Sequence, residues 1–311
     1  MAIAIPAGYK GSIVPHIQSN GLSIYVETYG DSNGTPLLIV RGLGTQIIHW
    51  PEAFIERLVG HGFWVIAPDN RDAGLSEHLD HLPSLGSAEL QRRIEQREPF
   101  EAPYLVDAFA SDHLGVLDHF DVKAADIFGI SMGGMIVQTI ASMFPERVRT
   151  MTSVMSSSGN PDIPLGSKRL RALLLEVPNN PDDRDSVISF TLQCDRAWGS
   201  PGYPFEDSVR ADLIGRAYDR AWTPQGVNRQ YAAVRASGSR VQKLQQIRAP
   251  SLVIHGLDDA LLEPAHGRDT ARNLPDARLI EIPGMGHDME GALGPMIADH
   301  VFQHVTAHRQ G

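Results

Sequence analysis

The chain has a single cysteine among 311 residues, Cys194, so no intramolecular disulfide can form. That thiol is expected to be a packed side chain. No apolar run approaches the ~18 residues of a membrane-spanning helix. Basic residues are in deficit: 27 Lys and Arg stand against 37 Asp and Glu, a net charge of −10. Such a surface does not attract nucleic acid or an anionic membrane, and neither is expected as a partner. The thirteen histidines include no HExxH and no tight cluster at metal-ligand spacing, so no metal site is expected. There is no phosphate-binding P-loop, no GxGxxG after a strand and no internal repeat. The opening residues, Met1–Pro6, are too short and uncharged for a secretory signal. A cytoplasmic location is the default expectation. The rest is ordinary globular composition, 42% hydrophobic and 21% charged. Its length suits one large core with an inserted subdomain.

What is present centres on Gly129-Ile130-Ser131-Met132-Gly133, which reads G-x-S-x-G. Ala125–Phe128 runs into it as a short β-like stretch. Met132–Met143 runs out of it with helical spacing and stops before Pro145. Strand, tight turn and helix are the setting a nucleophile elbow requires. A serine in a strained turn needs neighbours without a Cβ, so that the flanking chains can pass closely. The turn raises the hydroxyl above the sheet edge and directs the Met132 amide at a bound carbonyl oxygen. By itself the pattern also fits a small-residue turn capping an ordinary helix.

Two downstream features decide against that plain reading. Ser251–Gly256 is a buried strand ended by glycine, and Asp258 and Asp259 follow at once. Ala277–Ile282 is another strand, and its Gly-rich loop presents His287. Each carboxylate or histidine alone fits a turn former or a surface residue. Together they give the order Ser, Asp, His, each just past the carboxyl end of a strand. A serine hydroxyl is a poor nucleophile near neutral pH. A histidine in reach takes its proton and returns it to the leaving group, while a carboxylate fixes the imidazole tautomer.

The remaining pattern is an α/β alternation. Asn20-Gly21 between alternating residues from His16 to Tyr29 predicts a hairpin. Pro36–Val40 and Phe63–Ala67 are continuous apolar runs, as strands buried on both faces should be. Helices are predicted over Glu52–Val59 and Leu105–Phe120, and a strand over Val148–Met155. The alternation implies a mostly parallel sheet with helices on both faces. Two stretches interrupt it. Residues 77–103 hold a short polar helix from Ala88 to Arg97. Residues 159–245 read as three or four helices with Pro-rich turns. The expected division is therefore a core from residues 1–158 and 246–311, with a helical cap from 159–245. Both interruptions follow carboxyl ends of strands, the edge where ligands bind in such sheets. Trp198, Tyr218 and Trp222 in the cap are the expected substrate-binding residues, although packing between cap helices is the plainer role for such aromatics.

These residues resemble the α/β-hydrolase superfamily across residues 20–308. Asp69-Asn70-Arg71-Asp72-Ala73-Gly74-Leu75-Ser76 looks like its D-x-R-x-x-G-x-S turn. Trp50–Phe54, Asn70–Gly74 and Ile282–His287 look most like aclacinomycin methylesterase-type serine esterases. The resemblance implies an eight-stranded, mostly parallel sheet and a cofactor-free enzyme. It also implies hydrolysis of a small-molecule carboxylic ester or lactone through an acyl-enzyme. In such loops the acid stands three residues after the glycine, which selects Asp259 over Asp258 and gives the triad Ser131, Asp259 and His287. By resemblance the oxyanion hole uses the backbone amides of Leu43 and Met132. One departure stands out: Arg41 occupies the place where many members carry histidine before the glycine. Serine at the elbow argues against dehalogenase and epoxide hydrolase chemistry, which use aspartate there. Perhydrolysis, amide hydrolysis and C–C bond hydrolysis share the same triad, and a ligand receptor on a hydrolase fold is the alternative outside catalysis. Nothing in the sequence chooses between monomer and homodimer.

Overall fold

A computed structural model describes residues 13–164 and 166–309; the reading of Met1–Pro6 falls outside them. Eight strands form one sheet in the order β1-β2-β4-β3-β5-β6-β7-β8. They are β1 Ile13–Ser19, β2 Leu22–Tyr29, β3 Thr35–Val40, β4 Phe63–Pro68, β5 Ala125–Ile130, β6 Val148–Val154, β7 Ser251–Gly256 and β8 Ala277–Ile282. β1 and β2 are joined by Asn20 (φ 50°) and Gly21 (φ 79°), the left-handed pair a two-residue hairpin turn needs. β1–β2 and β2–β4 are antiparallel, and every pairing from β4 through β8 is parallel.

The helices are α1 Glu52–Gly60, α2 Ser87–Gln96, α3 Val106–His119, α4 Met132–Met143, α5 Lys168–Leu173, α6 Arg184–Trp198, α7 Asp207–Arg220, α8 Pro224–Ser237, α9 Val241–Leu244, α10 Pro264–Asn273 and α11 Leu293–Ala307. None of them is long and apolar enough to cross a membrane. The pleat of the central strands sorts their side chains onto two faces. Leu38 and Val40 of β3 join Phe109 of α3 with Ile136 and Val137 of α4 on one side. Leu37 and Ile39 of the same strand join Phe54 and Leu58 of α1 with Leu293 and Ile297 of α11 on the other. Phe54, Trp50 and Phe128 stack there with ring centroids 5.2–5.8 Å apart. Each such burial contributes about 1.5–3 kcal/mol.

Five helices, α5 to α9, stand between β6 and β7, against the three or four expected. The difference lies in α5 and α9, of 6 and 4 residues, too short to show an apolar period. α6 starts where the Asp183 side chain accepts from the Ser186 amide at 2.8 Å. α8 starts at Pro224, whose missing N–H costs nothing in a first turn. Cys194 is buried in α6, and burial pushes its thiol up to about 12.

Candidate active site

The turn between β5 and α4 holds Ser131 at φ 53°, ψ −118°, a backbone state that costs about 1–3 kcal/mol. Close packing enforces it. A Cβ on Gly129 would lie 2.1 Å from the Gly133 carbonyl oxygen, and one on Gly133 2.1 Å from that of Val40. The Ser131 amide donates to the Val154 carbonyl at 3.0 Å. The Ser131 carbonyl accepts from the Met135 amide at 3.3 Å and from Ser156 Oγ at 2.7 Å. The strained residue is thus gripped from β6 and from its own helix, and its hydroxyl is left free to point outward.

Two loops at the same sheet edge complete the constellation. His287 Nε2 lies 3.0 Å from Ser131 Oγ, and His287 Nδ1 lies 2.7 Å from Asp259 Oδ2. Asp259 is 2% exposed. Its other oxygen, Oδ1, accepts from the amides of Leu261 and Leu262 at 3.0 and 2.9 Å. That division leaves Oδ2 for the imidazole. Asp258 points elsewhere, accepting from the Gly284 amide at 2.8 Å. It ties the aspartate loop to the histidine loop without reaching the ring. Gly42 presses on the serine from behind, where a Cβ would meet Ser131 Cβ at 3.3 Å. The Leu43 and Met132 amides donate to no protein acceptor among the described residues. Met132 opens α4, where amides lack intrahelical partners.

The constellation opens into a cavity of about 1150 Å³. Leu43, Ser131, Met132, Met135, Met155 and His287 line its floor; Trp198, Tyr231 and Val234 of the inserted helices and Ile94 of α2 line its sides. His49 is also on the wall, and burial, with Arg41 next to it, pushes its pKa well below the usual histidine range. Of the three expected cap residues only Trp198 reaches the cavity. Tyr218 and Trp222 are corrected: their rings pack on each other at 5.8 Å, and the Tyr218 hydroxyl donates to the Asp182 carbonyl. The reason is the facing of α7, which buries Ile214, Gly215 and Ala217 and turns Tyr218 outward.

A family model described as the alpha/beta hydrolase fold matches residues 35–289. The chain belongs to the α/β-hydrolase family. This α/β hydrolase is 28% identical over 312 residues to rhodomycin D methylesterase DauP of Streptomyces sp. (strain C5), covering 94% of the chain and 97% of that protein. It is 26% identical over 310 residues to rhodomycin D methylesterase DnrP of Streptomyces peucetius, covering 94% and 97%. Among solved structures, the enol-lactonase from Burkholderia xenovorans LB400 superposes with a TM-score of 0.72 at 20% identity, covering 94% of the chain and 100% of that protein. That last likeness speaks for the fold alone.

Several residues that support the hydrolase site gave no sign in the sequence. His255 Nε2 sits 3.5 Å from Asp259 Oδ2 and 2.7 Å from the Leu262 carbonyl; burial lowers its pKa, so a neutral ring backs the carboxylate. Gln230 of α8 accepts from the Gly44 amide at 2.8 Å through Oε1 and donates to the Arg71 carbonyl at 2.7 Å through Nε2. The loop carrying Leu43 is therefore braced by an inserted helix. The histidine loop is braced from the same segment. The His287 amide donates to the Trp198 carbonyl at 2.7 Å, and the Gly286 amide to Ser200 Oγ at 2.8 Å. Only buried polar side chains at fixed positions could have hinted at these braces, and a sequence does not mark which polar residues are buried.

Proposed function

We propose that the protein hydrolyses a carboxylic ester or lactone of a small molecule through an acyl-enzyme on Ser131. The carboxylic ester hydrolase class follows from the family and from the methylesterases among its relatives. The observation that carries the mechanism is the relay Ser131 Oγ, His287 Nε2, His287 Nδ1, Asp259 Oδ2, with links of 3.0 and 2.7 Å.

In this mechanism Ser131 Oγ attacks the ester carbonyl as its proton passes to His287 Nε2. Asp259 holds the Nδ1–H tautomer and stabilises the imidazolium that forms. The Leu43 and Met132 amides donate hydrogen bonds to the developing oxyanion, where preorganised donors count most. The imidazolium then protonates the departing alcohol. Water, deprotonated by the same nitrogen, cleaves the acyl-enzyme. Residues 159–245 act as the helical cap and set substrate choice through Trp198 and its neighbours on the cavity wall.

A fluorophosphonate tests the nucleophile, and a panel of esters and lactones tests the reaction. The expected outcome is one adduct mapped to Ser131 with multiple turnovers on at least one ester. Turnover that survives in Ser131→Ala, or an adduct on another residue, removes the mechanism. A single slow turnover coupled to a change in the cap would favour a receptor.

A further inference from the structure

Arg41 is a buried charge that the chemistry above leaves unused. It stands directly after β3, at the head of the loop that brings Gly42 against Ser131. Its residue is 8% exposed. Nε donates to Thr45 Oγ1 at 3.3 Å and Nη1 to the His49 carbonyl at 3.2 Å. The guanidinium lies 4.5 Å over the Trp50 ring. All of these partners are neutral. A guanidinium has five N–H donors, so most of those on Arg41 have no protein acceptor among the described residues.

Five other arginines around the site are compensated differently, whereas Nε of Arg235, on the same cavity wall, has no hydrogen-bond partner among the described residues. Arg71 meets Asp112 at 2.6 Å, Arg220 meets Asp69 at 2.7 Å and Arg229 meets Asp72 at 2.7 Å. Arg210 holds both Asp195 and Glu290, at 2.6 and 2.7 Å, so the carboxylates nearest Arg41 are already taken. Arg240 also lacks a carboxylate, but three neutral acceptors (Gln138 Oε1 and the carbonyls of Ser157 and Gly238) occupy it. Burial, followed by the charge of Arg210, pushes the Arg41 pKa down to about 9. Glu290 and Asp195 favour its charge from a distance, and it is still a cation at neutral pH, but no carboxylate forms an ion pair with it among the described residues. A buried charge without a partner is costly, and a ligand that brings the counter-charge recovers that cost on binding.

Arg41 lines the same cavity as Ser131 and His287. On that wall Arg and Lys outnumber Asp and Glu, although the chain as a whole carries a net charge of −10. The leaving alcohol must lie against His287 Nε2, which protonates it. In the same reading the Leu43 amide, two residues after Arg41, meets the ester carbonyl oxygen.

We propose that Arg41 binds a carboxylate on the acyl side of the substrate, so that the preferred substrates are half-esters of dicarboxylic acids. This rests on the reading of Ser131 as an ester-cleaving nucleophile. Water and the half-ester give the dicarboxylate, the free alcohol and a proton: the acyl C–O bond breaks, water supplies the new acyl oxygen, one of its protons goes to the alcohol, and the other is released as the new acid ionises. A carboxylate matches the planar fork of a guanidinium, with two parallel charge-assisted hydrogen bonds.

The test compares monomethyl succinate, glutarate and adipate with counterparts in which the free carboxylate is a primary amide. Methanol release is followed for the wild type, Arg41→Lys and Arg41→Met. For at least one chain length the wild type should favour the acid over the amide by about tenfold or more in kcat/KM, the scale of one charge-assisted pair. That ratio should fall about tenfold in Arg41→Met and less in Arg41→Lys. A wild-type ratio at or below one for every length overturns the proposal, and this arm needs no variant to fold. So does a ratio that Arg41→Met leaves unchanged. If the wild type cleaves no ester of any kind, the hydrolase reading has failed separately. Thermal shifts with glutarate and adipate then judge Arg41 alone: stabilisation in the wild type that Arg41→Met loses supports the carboxylate site, and no stabilisation overturns it.

Discussion

The sheet and the helices inserted after β6 are held by different forces. Around the sheet, two continuous apolar clusters cover both faces, with Leu37, Ile39, Phe54 and Phe128 on one side and Leu38, Val40, Phe109 and Ile136 on the other. Of the inserted helices, Ala233 of α8 and Leu244 of α9 reach the cluster of Leu38 and Val40, and a further small cluster has Leu90 of α2, Leu175 and Ala232 at its centre. Much of what fastens α7 and α8 to the sheet edge is polar. Arg220 meets Asp69, and Arg229 meets both Asp72 and Asp80, with the Arg229 and Asp72 side chains 0% exposed. Gln46 donates to the carbonyls of Ala217 and Ala221, both at 2.8 Å. Apolar burial is non-directional and tolerates small shifts. A buried ion pair adds little net stability over an apolar pair but strongly penalises any arrangement that separates its partners. The sheet is therefore built to be stable, and the seat of the inserted helices is built to be in one place. A cavity whose floor comes from the first region and whose wall comes from the second needs both.

The sharpest test of that contrast removes chemistry from the sheet side. Ser131→Ala should lower kcat by on the order of 10⁵-fold or more, with a thermal midpoint close to wild type. A residual rate within a hundredfold of wild type would move the chemistry elsewhere. Next comes Asp259→Asn, expected to cost about 10⁴ in kcat by favouring the wrong tautomer of His287. Kinetics at equal folded fraction, checked by circular dichroism, would read it.

On the other side of the comparison, Arg229→Met strands Asp72 as a buried carboxylate and should destabilise by about 3–5 kcal/mol in urea unfolding. Adding Asp72→Asn should return part of that loss. A loss under about 1 kcal/mol would show that the pair does not anchor α8. Trp198→Leu should reorder the acyl chain-length profile by several-fold, while Tyr218→Phe should leave the order intact; equal profiles for the two variants would mean that Trp198 does not shape the pocket. The smallest effect belongs to Asp258→Asn. Its bond to the Gly284 amide is a loop brace, so kcat should change by only a few-fold. A loss there larger than that of Asp259→Asn would reverse the assignment of the acid.

The same contrast explains what was legible in the sequence. Strands and helices packed by apolar faces announce themselves by period, so Pro36–Val40, Phe63–Ala67 and the elbow with α4 could be read directly. The order of serine, carboxylates and histidine along those strands was equally plain. Register within a loop was harder: Asp258 and Asp259 differ only in which way each side chain turns. The seat of the inserted helices could not be read at all. Arg229 and Asp72 are 157 residues apart, and nothing in either neighbourhood names the other. Tyr218 failed as a pocket residue for a related reason. An aromatic ring in a helix has a preference for burial, but the direction of its burial is set by which face of α7 the Gln46 and Arg220 contacts turn toward the sheet edge.

The bonds from His287 and Gly286 to Trp198 and Ser200 also bear on how this segment could be exchanged between relatives. Cutting the chain after β6 and rejoining it before β7 looks like a clean transplant of a specificity module. It is not, because the carbonyl of residue 198 and the hydroxyl of residue 200 hold the loop that carries His287. A chimera that imports a different α6 terminus imports a different seat for the imidazole, and its rate would drop for reasons unrelated to how well the new wall fits a substrate. The graft has to carry residues 198–200 together with 286–288 as one piece, although they are far apart in the chain.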